Sequence, residues 1–253
     1  MKILNNDFSE GSVVHNILNL AFPMTIAQLV NVLYNIVDRI YIGHLPENST
    51  LALTGIGLCL PIITAVIAFA NLFGMGGAPL CSIARGEGNN QKAERIMGNS
   101  FSLIIIFGII LTILIFLFKS PLLYLFGASD ETFLYANDYL TIYLFGTLFV
   151  MISLGMNNFI NSQGFGKVGM ISVVIGAVIN IILDPIFIFV LNMGVKGAAL
   201  ATVISQFIST IWVMRFLTSK KAILVLKVKY FSLDSIIVKR IISLGLSGFV
   251  MAI

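Results

Sequence analysis

Residues 180–206 read NIILDPIFIFVLNMGVKGAALATVISQ. Two apolar runs meet here at a short polar turn around Asn192, Met193 and Gly194, and the charges inside the stretch are Asp184 and Lys196. Followed in both directions, the runs extend over 168–193 and 197–217. Each meets the roughly 17 to 25 residues that a helix needs to cross a bilayer. An aspartate inside such a run is expensive, so this stretch poses two questions at once: what solvent the chain lives in, and what the acid is for.

The same pattern recurs upstream. Apolar blocks cover approximately 17–42, 51–79, 101–118 and 133–160, which makes six spans with the two above. Hydrophobic residues make up 58% of the chain and charged residues 10%, with a mean hydropathy of +1.01. Soluble domains are about half apolar and a quarter charged. Lipid cannot satisfy free backbone groups, and the strict alternation of a membrane β-barrel is absent, so the runs are read as helices. The expectation is an all-α polytopic membrane protein: a six-helix transmembrane lobe over 1–217, a basic cytoplasmic linker over 218–240, and the truncated start of a seventh helix over 241–253. That last block is too short to cross, and the chain is expected to stop inside a segment.

The opening stretch MKILNNDFSEGSVVHNILNLAF has no short apolar core followed by a small-residue cleavage site, so no signal peptide is read. Cys59 and Cys81 have neither metal-ligand spacing nor a disulfide context and are expected to pack as small apolar side chains. If the spans alternate, Lys2, Arg85, Lys92, Arg95, Lys167, Arg215, Lys220, Lys221, Lys227, Lys229, Lys239 and Arg240 share one side. Arg39, Lys119 and Lys196 fall on the other. By the positive-inside rule the N-terminus and the 218–240 loop are then cytoplasmic. That loop mixes basic and apolar residues, and its ordinary reading is an interfacial segment anchored on anionic lipid. No nucleic-acid motif accompanies it, so nucleic acid is not an expected partner. An even number of spans returns the chain to its starting side, which suits a second six-helix unit of the same orientation.

Away from the rims, the ionisable residues in the spans are Asp38, its neighbour Arg39, and Asp184. An ionised Asp at mid-helix costs about 2.5 to 3.5 kcal/mol on insertion scales. Both aspartates fall in the outer half of outward-running helices at similar depth, which suggests one shared site. Taking about 100° per residue, Gln28, Asn31, Asn35 and Asp38 form one polar stripe on the first span. Ser172, Gly176, Asn180 and Asp184 form another on the fifth, with Pro185 removing a backbone donor just beyond. Tyr139, Tyr143, Gly146, Ser153 and Asn157 line up on the fourth span, and Thr202, Ser205 and Ser209 on the sixth. The small members of these stripes, taken singly, read first as ordinary helix–helix contacts. Arg39 points away from Asp38 and its stem can snorkel toward the outer headgroups, so no salt bridge is expected between them. A carboxyl buried beside a second carboxyl is costly to leave ionised, which suits a group that loads a proton on one side and releases it on the other. The same oxygens could hold Na⁺ at Asp38, Asn180 and Asp184.

Several stretches then carry a recognisable pattern: NIVDRIYIGHL (35–45), GMGGAPLCSIARGEGNNQKAERIMGNSF (74–101), INSQGFGKVGM (160–170) and, most specifically, residues 180–206. They resemble the multidrug and toxic compound extrusion (MATE) family over essentially the whole chain, and within it the bacterial branch of MepA-like drug exporters. The resemblance implies the N-terminal lobe of a two-lobe, twelve-helix transporter that alternates between inward-open and outward-open states and exchanges H⁺ or Na⁺ for amphipathic, often cationic drugs. It places the ion-coupling residues at Asp38, Asn180 and Asp184, and cavity or ion-site positions at Tyr139, Asn157 and Thr202 beside the polar stripe of Gln28, Asn31 and Asn35. It implies no catalytic residue, no resident metal and no cofactor beyond the coupling ion. The C-terminal lobe would be the missing partner, small-molecule drugs the cargo, and the cell's inner (plasma) membrane, with its lipids, the location.

Two other functions compete. A flippase for lipid-linked sugars would need cations inside the lobe to meet a pyrophosphate, and only Arg39 is near. An intramembrane aspartyl protease would place Gly-x-Gly or Tyr before its aspartates, whereas Ile36-Val37 and Ile182-Leu183 stand here. His15 and His44 lie near opposite ends of the first span, too far apart for a shared metal. GFGKVG lacks the spacing and hydroxyl of a nucleotide-binding loop. GMGGAP reads as close helix packing, and Asn48-Ser49-Thr50 as a chance glycosylation triplet.

Overall fold

In a computed structural model, which describes residues 12–46 and 48–252, the chain folds into helices without strands among the described residues. Lys2, most of the N-terminal stretch read for a leader, and Glu47 of the first outer loop lie outside the described residues. Helix α1 spans Val13–Gly43, α2 Ser49–Gly86, α3 Asn90–Leu125, α4 Asp130–Ser162, α5 Gly166–Pro185, α6 Val195–Leu217 and α7 Ser235–Ala252. A π-helical turn over Ile186–Val190 continues α5. Six of these elements, α1 to α6 with α5 counted through Val190, are long and apolar enough to cross a membrane. The six spans expected from hydropathy are therefore present, and the first four helices outrun their apolar blocks at both ends because polar end turns are helical too.

Turn chemistry sets the ends. Asn89 accepts from Lys92 N at 2.9 Å and caps α3, while Ser129 and Thr132 form a reciprocal capping box at the start of α4. Gly194, at the turn inside the stretch quoted first, has φ +54° and ψ −130°, a backbone region that a residue with a Cβ rarely enters.

Helix α2 is the hub and packs on α3, α4 and α7. Helix α4 also packs on α6, while α1 rests chiefly on α5 and is otherwise exposed, with Ile17, Phe22, Leu29 and Leu33 outward. Close approach depends on glycine. A Cβ on Gly74 of α2 would stand 2.6 Å from the Gly155 carbonyl of α4, and one on Gly98 of α3 would stand 2.5 Å from the carbonyl of Tyr230. Cys59 and Cys81 are buried and unpaired, with thiols directed at backbone carbonyls.

The segment after α6, expected as an interfacial linker, packs one face on the protein. Ala222, Leu224 and Leu226 are buried in alternation, as in an extended strand whose one face meets a core. Buried polar side chains hold its backbone: Gln163 Oε1 accepts from Leu224 N at 2.8 Å, and Glu94 accepts from Val225 N at 3.2 Å and from Lys227 Nζ at 2.6 Å. Asn99 donates to the carbonyls of Arg95 and Ser232 and accepts from Asp234 N at 2.7 Å. Ala222, Leu224 and Leu226 thus enter the protein, while Val228, Leu233, Lys220, Lys221 and Lys229 stay exposed. Helix α7 opens at Ser235, inside the stretch expected to be linker, because Asp234 Oδ1 accepts from Ile236 N at 2.9 Å and starts the helix there.

Replacing Gly74 by Val forces two packed backbones apart, a change that typically costs about 1 to 3 kcal/mol or more. The expected outcome is a clear fall in the melting temperature of the detergent-solubilised protein, with Gly57→Val, which meets open space, as the neutral comparison.

Candidate functional site

Because α1 lies against α5, the two aspartates away from the rims of the spans meet. The carboxyls of Asp38 and Asp184 are within hydrogen-bonding reach of each other. Asp184 is fully buried, whereas Asp38 is half-buried in the wall of a cavity. One turn before Asp184, the fully buried Asn180 donates from Nδ2 to Asp184 Oδ1 at 3.2 Å, with Thr202 Oγ1 of α6 at 3.5 Å from the same nitrogen. Three helices converge on one polar spot.

Three oxygens there, Asp38 Oδ1, Asn180 Oδ1 and Asp184 Oδ2, are buried without a hydrogen-bond donor. An unsatisfied buried polar group costs about 1 to 3 kcal/mol, and two ionised carboxylates in contact repel as well. One proton or one monovalent cation between them relieves both costs. The backbone beside the site is equally unusual. Pro185 has no N–H, so the Ile181 carbonyl loses its helical donor, and the chain re-pairs in wider turns: Leu191 N to Ile186 O at 2.9 Å and Met193 N to Phe187 O at 3.0 Å. Such π turns recur at functional positions in helices.

The cavity reached by Asp38 has a volume of about 280 Å³ and is also lined by Asn31, Tyr34, Asn35, Tyr139 and Thr202. A second cavity of about 200 Å³, lined by Asn157, Asn158 and Asn161, shares Gln28, Asn31, Tyr34, Asn71 and Gln206 with it. The residues singled out from sequence are thus gathered around one connected space, with Asn180 and Asp184 packed behind its wall. Tyr139 is buried and stacks on Tyr143 with ring centroids 6.1 Å apart. Asn157 donates to Gly169 O at 3.3 Å and leaves its own Oδ1 unpartnered. Asn35 and Gln28 are exposed rather than enclosed, and Asn35 spends a donor on Asn31 O at 2.7 Å. Arg39 is exposed, and no ion pair joins it to Asp38 among the described residues, as helical spacing predicts.

Tyr34, Asn71, Asn158, Asn161 and Gln206 were not singled out from sequence. Tyr34 shares the helical face of Asn31 and Asp38, and Asn71 is a lone amide in an apolar helix, so both left a signal. Gly176, Ser172 and Ser209 line the second cavity and are helix contacts as well: Ser209 Oγ donates to Ser172 O at 2.9 Å, and a Cβ on Gly176 would stand 2.6 Å from that hydroxyl oxygen.

With this geometry in place, comparison with known proteins gives a consistent result. A model of the MatE family matches residues 23–186. The chain belongs to that family. Among its relatives, the multidrug export protein MepA of Staphylococcus haemolyticus is 32% identical over 246 residues, which cover 97% of this chain and 54% of the relative. The MepA of Staphylococcus saprophyticus is 29% identical with the same coverage. A crystal structure of MATE in complex with MaD3S superposes with a TM-score of 0.91 at 28% identity, covering 98% of this chain and 56% of that one. A Pyrococcus furiosus transporter of the MOP superfamily, described as having a binding pocket of reversed polarity that suggests a different function, superposes at 0.90 and 28% identity over 98% of this chain and 55% of its own. The chain spans about half the length of the relatives it matches. MatE proteins of this kind are multi-pass membrane transporters rather than enzymes, which removes the aspartyl-protease reading.

The burial difference between the two acids is directly measurable. Asp38→Cys faces the cavity and is expected to react with a water-soluble thiosulfonate, whereas Asp184→Cys is expected to stay unlabelled under the same conditions. Buried Cys59 and Cys81 give a low background.

Proposed function

We propose that this chain is the N-terminal lobe of a secondary-active exporter of amphipathic, often cationic drugs, driven by inward movement of H⁺ or Na⁺. The observation that carries the reading is the contact between Asp38 and Asp184, with Asn180 and donor-free oxygens around it, next to a cavity that Asp38 shares. Ion and cargo would then be linked through one side chain. Asp38 is the member exposed to the cavity, so a cationic ligand and the coupling ion compete for its charge, and neither needs to bind at the same time as the other. That exclusivity is the physical basis of exchange: each carrier half-cycle moves one or the other.

The oxygens fit either ion. A proton shared between two carboxyls satisfies one lone pair directly, and a hard monovalent cation takes carboxylate and amide oxygens as ligands. Drug selectivity on this reading comes from the aromatic and amide walls of Tyr34, Tyr139, Tyr143, Asn71 and Gln206, which offer apolar faces with scattered hydrogen-bonding groups. The distribution of basic residues supports a plasma-membrane protein with a cytoplasmic N-terminus. The C-terminal lobe of the longer relatives would complete the transport path.

A flippase for lipid-linked pyrophosphates is the second reading, motivated by the reversed pocket polarity in the name of the Pyrococcus furiosus relative. Among the described residues, Arg39 is the one cation lining either cavity, and it sits beside Asp38. That charge balance favours a cationic cargo.

The test is efflux of a fluorescent cationic dye from vesicles holding the protein together with its C-terminal lobe, under an imposed pH gradient and separately under an Na⁺ gradient. Export that follows one gradient and is abolished in Asp184→Asn and Asp38→Asn, with folding retained, is the expected result. Dye movement indifferent to both gradients and both substitutions would overturn the antiport reading.

A further inference from the structure

At the basic end of the bundle, away from the aspartates, a cavity of about 540 Å³ opens between α2, α3 and α7. We propose that it is a binding site for one anionic phospholipid of the adjoining leaflet, with the phosphate held by Arg240, Arg95 and Lys92 and the acyl chains lying along Ile83 and Ile236.

Donors are available for this. Arg240 is exposed and makes no ion pair among the described residues. Arg95 Nη2 is 3.0 Å from Asp234 Oδ2, and Lys92 Nζ is 3.0 Å from Glu87 Oε2, each using one of several N–H groups. A guanidinium has five donors and an ammonium three, so both retain free ones aimed by the pairs they already make. Three cations against Glu87 and Asp234 leave the lining with one excess positive charge. The first turns of α3 and α7 also contribute, since Gln91 and Ile236 line the cavity and the positive ends of both helix dipoles lie there.

A free phosphate would need only that polar half. The other half is apolar and open: Ile83 is 57% and Ile236 68% exposed, while Ile96 and Ile237 line the floor. Large aliphatic side chains next to an unpaired arginine, at the end of membrane-spanning helices, match a molecule with both a phosphate and hydrocarbon chains. Basic pockets between helices are the recurrent way such headgroups are held. The docked 218–234 segment sharpens the assignment, because Asn99 and Asp234 hold the start of α7 against α3 and keep the cavity walls in place whether or not lipid is bound.

The measurement is native mass spectrometry of the detergent-purified protein with added phosphatidylglycerol, with phosphatidylcholine and glycerol phosphate as the comparison ligands. Retention of phosphatidylglycerol over phosphatidylcholine, reduced about fivefold in Arg240→Gln, is expected of one basic side chain at a lipid headgroup. Ile83→Ser should weaken lipid retention without changing glycerol phosphate, and an unchanged melting temperature confirms that both variants fold. Equal retention of the two lipids, or retention unaffected by Arg240→Gln, would overturn the proposal, as would glycerol phosphate competing as well as the intact lipid. No transport assay enters, so the outcome is independent of the export reading.

Discussion

Two carboxyl groups held together in a low-dielectric interior are the constraint around which this lobe is organised. An ionised pair so placed is self-repelling, and among the described residues none supplies a donor to Asp38 Oδ1 or Asp184 Oδ2. Left ionised, such a pair is costly to bury. Burying such a pair needs two helices side by side, which α1 and α5 provide, and a third, α6, whose Thr202 approaches the Asn180 amide. The irregular turn after Pro185 follows from the same place in the chain.

The remaining helices act as scaffold. Glycines of α2 and α4 bring those helices to backbone contact, whereas α1 leaves most of its surface exposed. The acid that lines the cavity rides on the exposed helix, and the acid behind the wall rides on one tied to its neighbour through Ser172, Gly176 and Ser209.

The segment between α6 and α7 illustrates what composition leaves open. Its lysines and aliphatics describe an interfacial peptide equally well as a docked strap. What distinguishes them is the period-two burial of Ala222, Leu224 and Leu226 and the buried partners Gln163, Glu94 and Asn99, which come from distant turns of α3 and α4. A polar residue at a helix end reads as solvated in one dimension. Only packing shows that it is satisfied by someone else's backbone.

The amino-acid sequence alone determined the membrane setting, the six helices, the turn at Gly194 and the identity of Asp38, Asn180 and Asp184 as costly residues that need a reason. These are local properties: hydropathy over a span, backbone freedom at one glycine, the price of one charge in lipid. Tertiary structure alone decided that Asp38 and Asp184 touch, that Tyr34, Asn71 and Gln206 join the same space, and that Asn35 and Gln28 stay at its open edge. Helical phase orders residues on one helix but does not say which face of a neighbour it meets, and that choice is made by side-chain volume and glycine contacts between segments far apart in the chain.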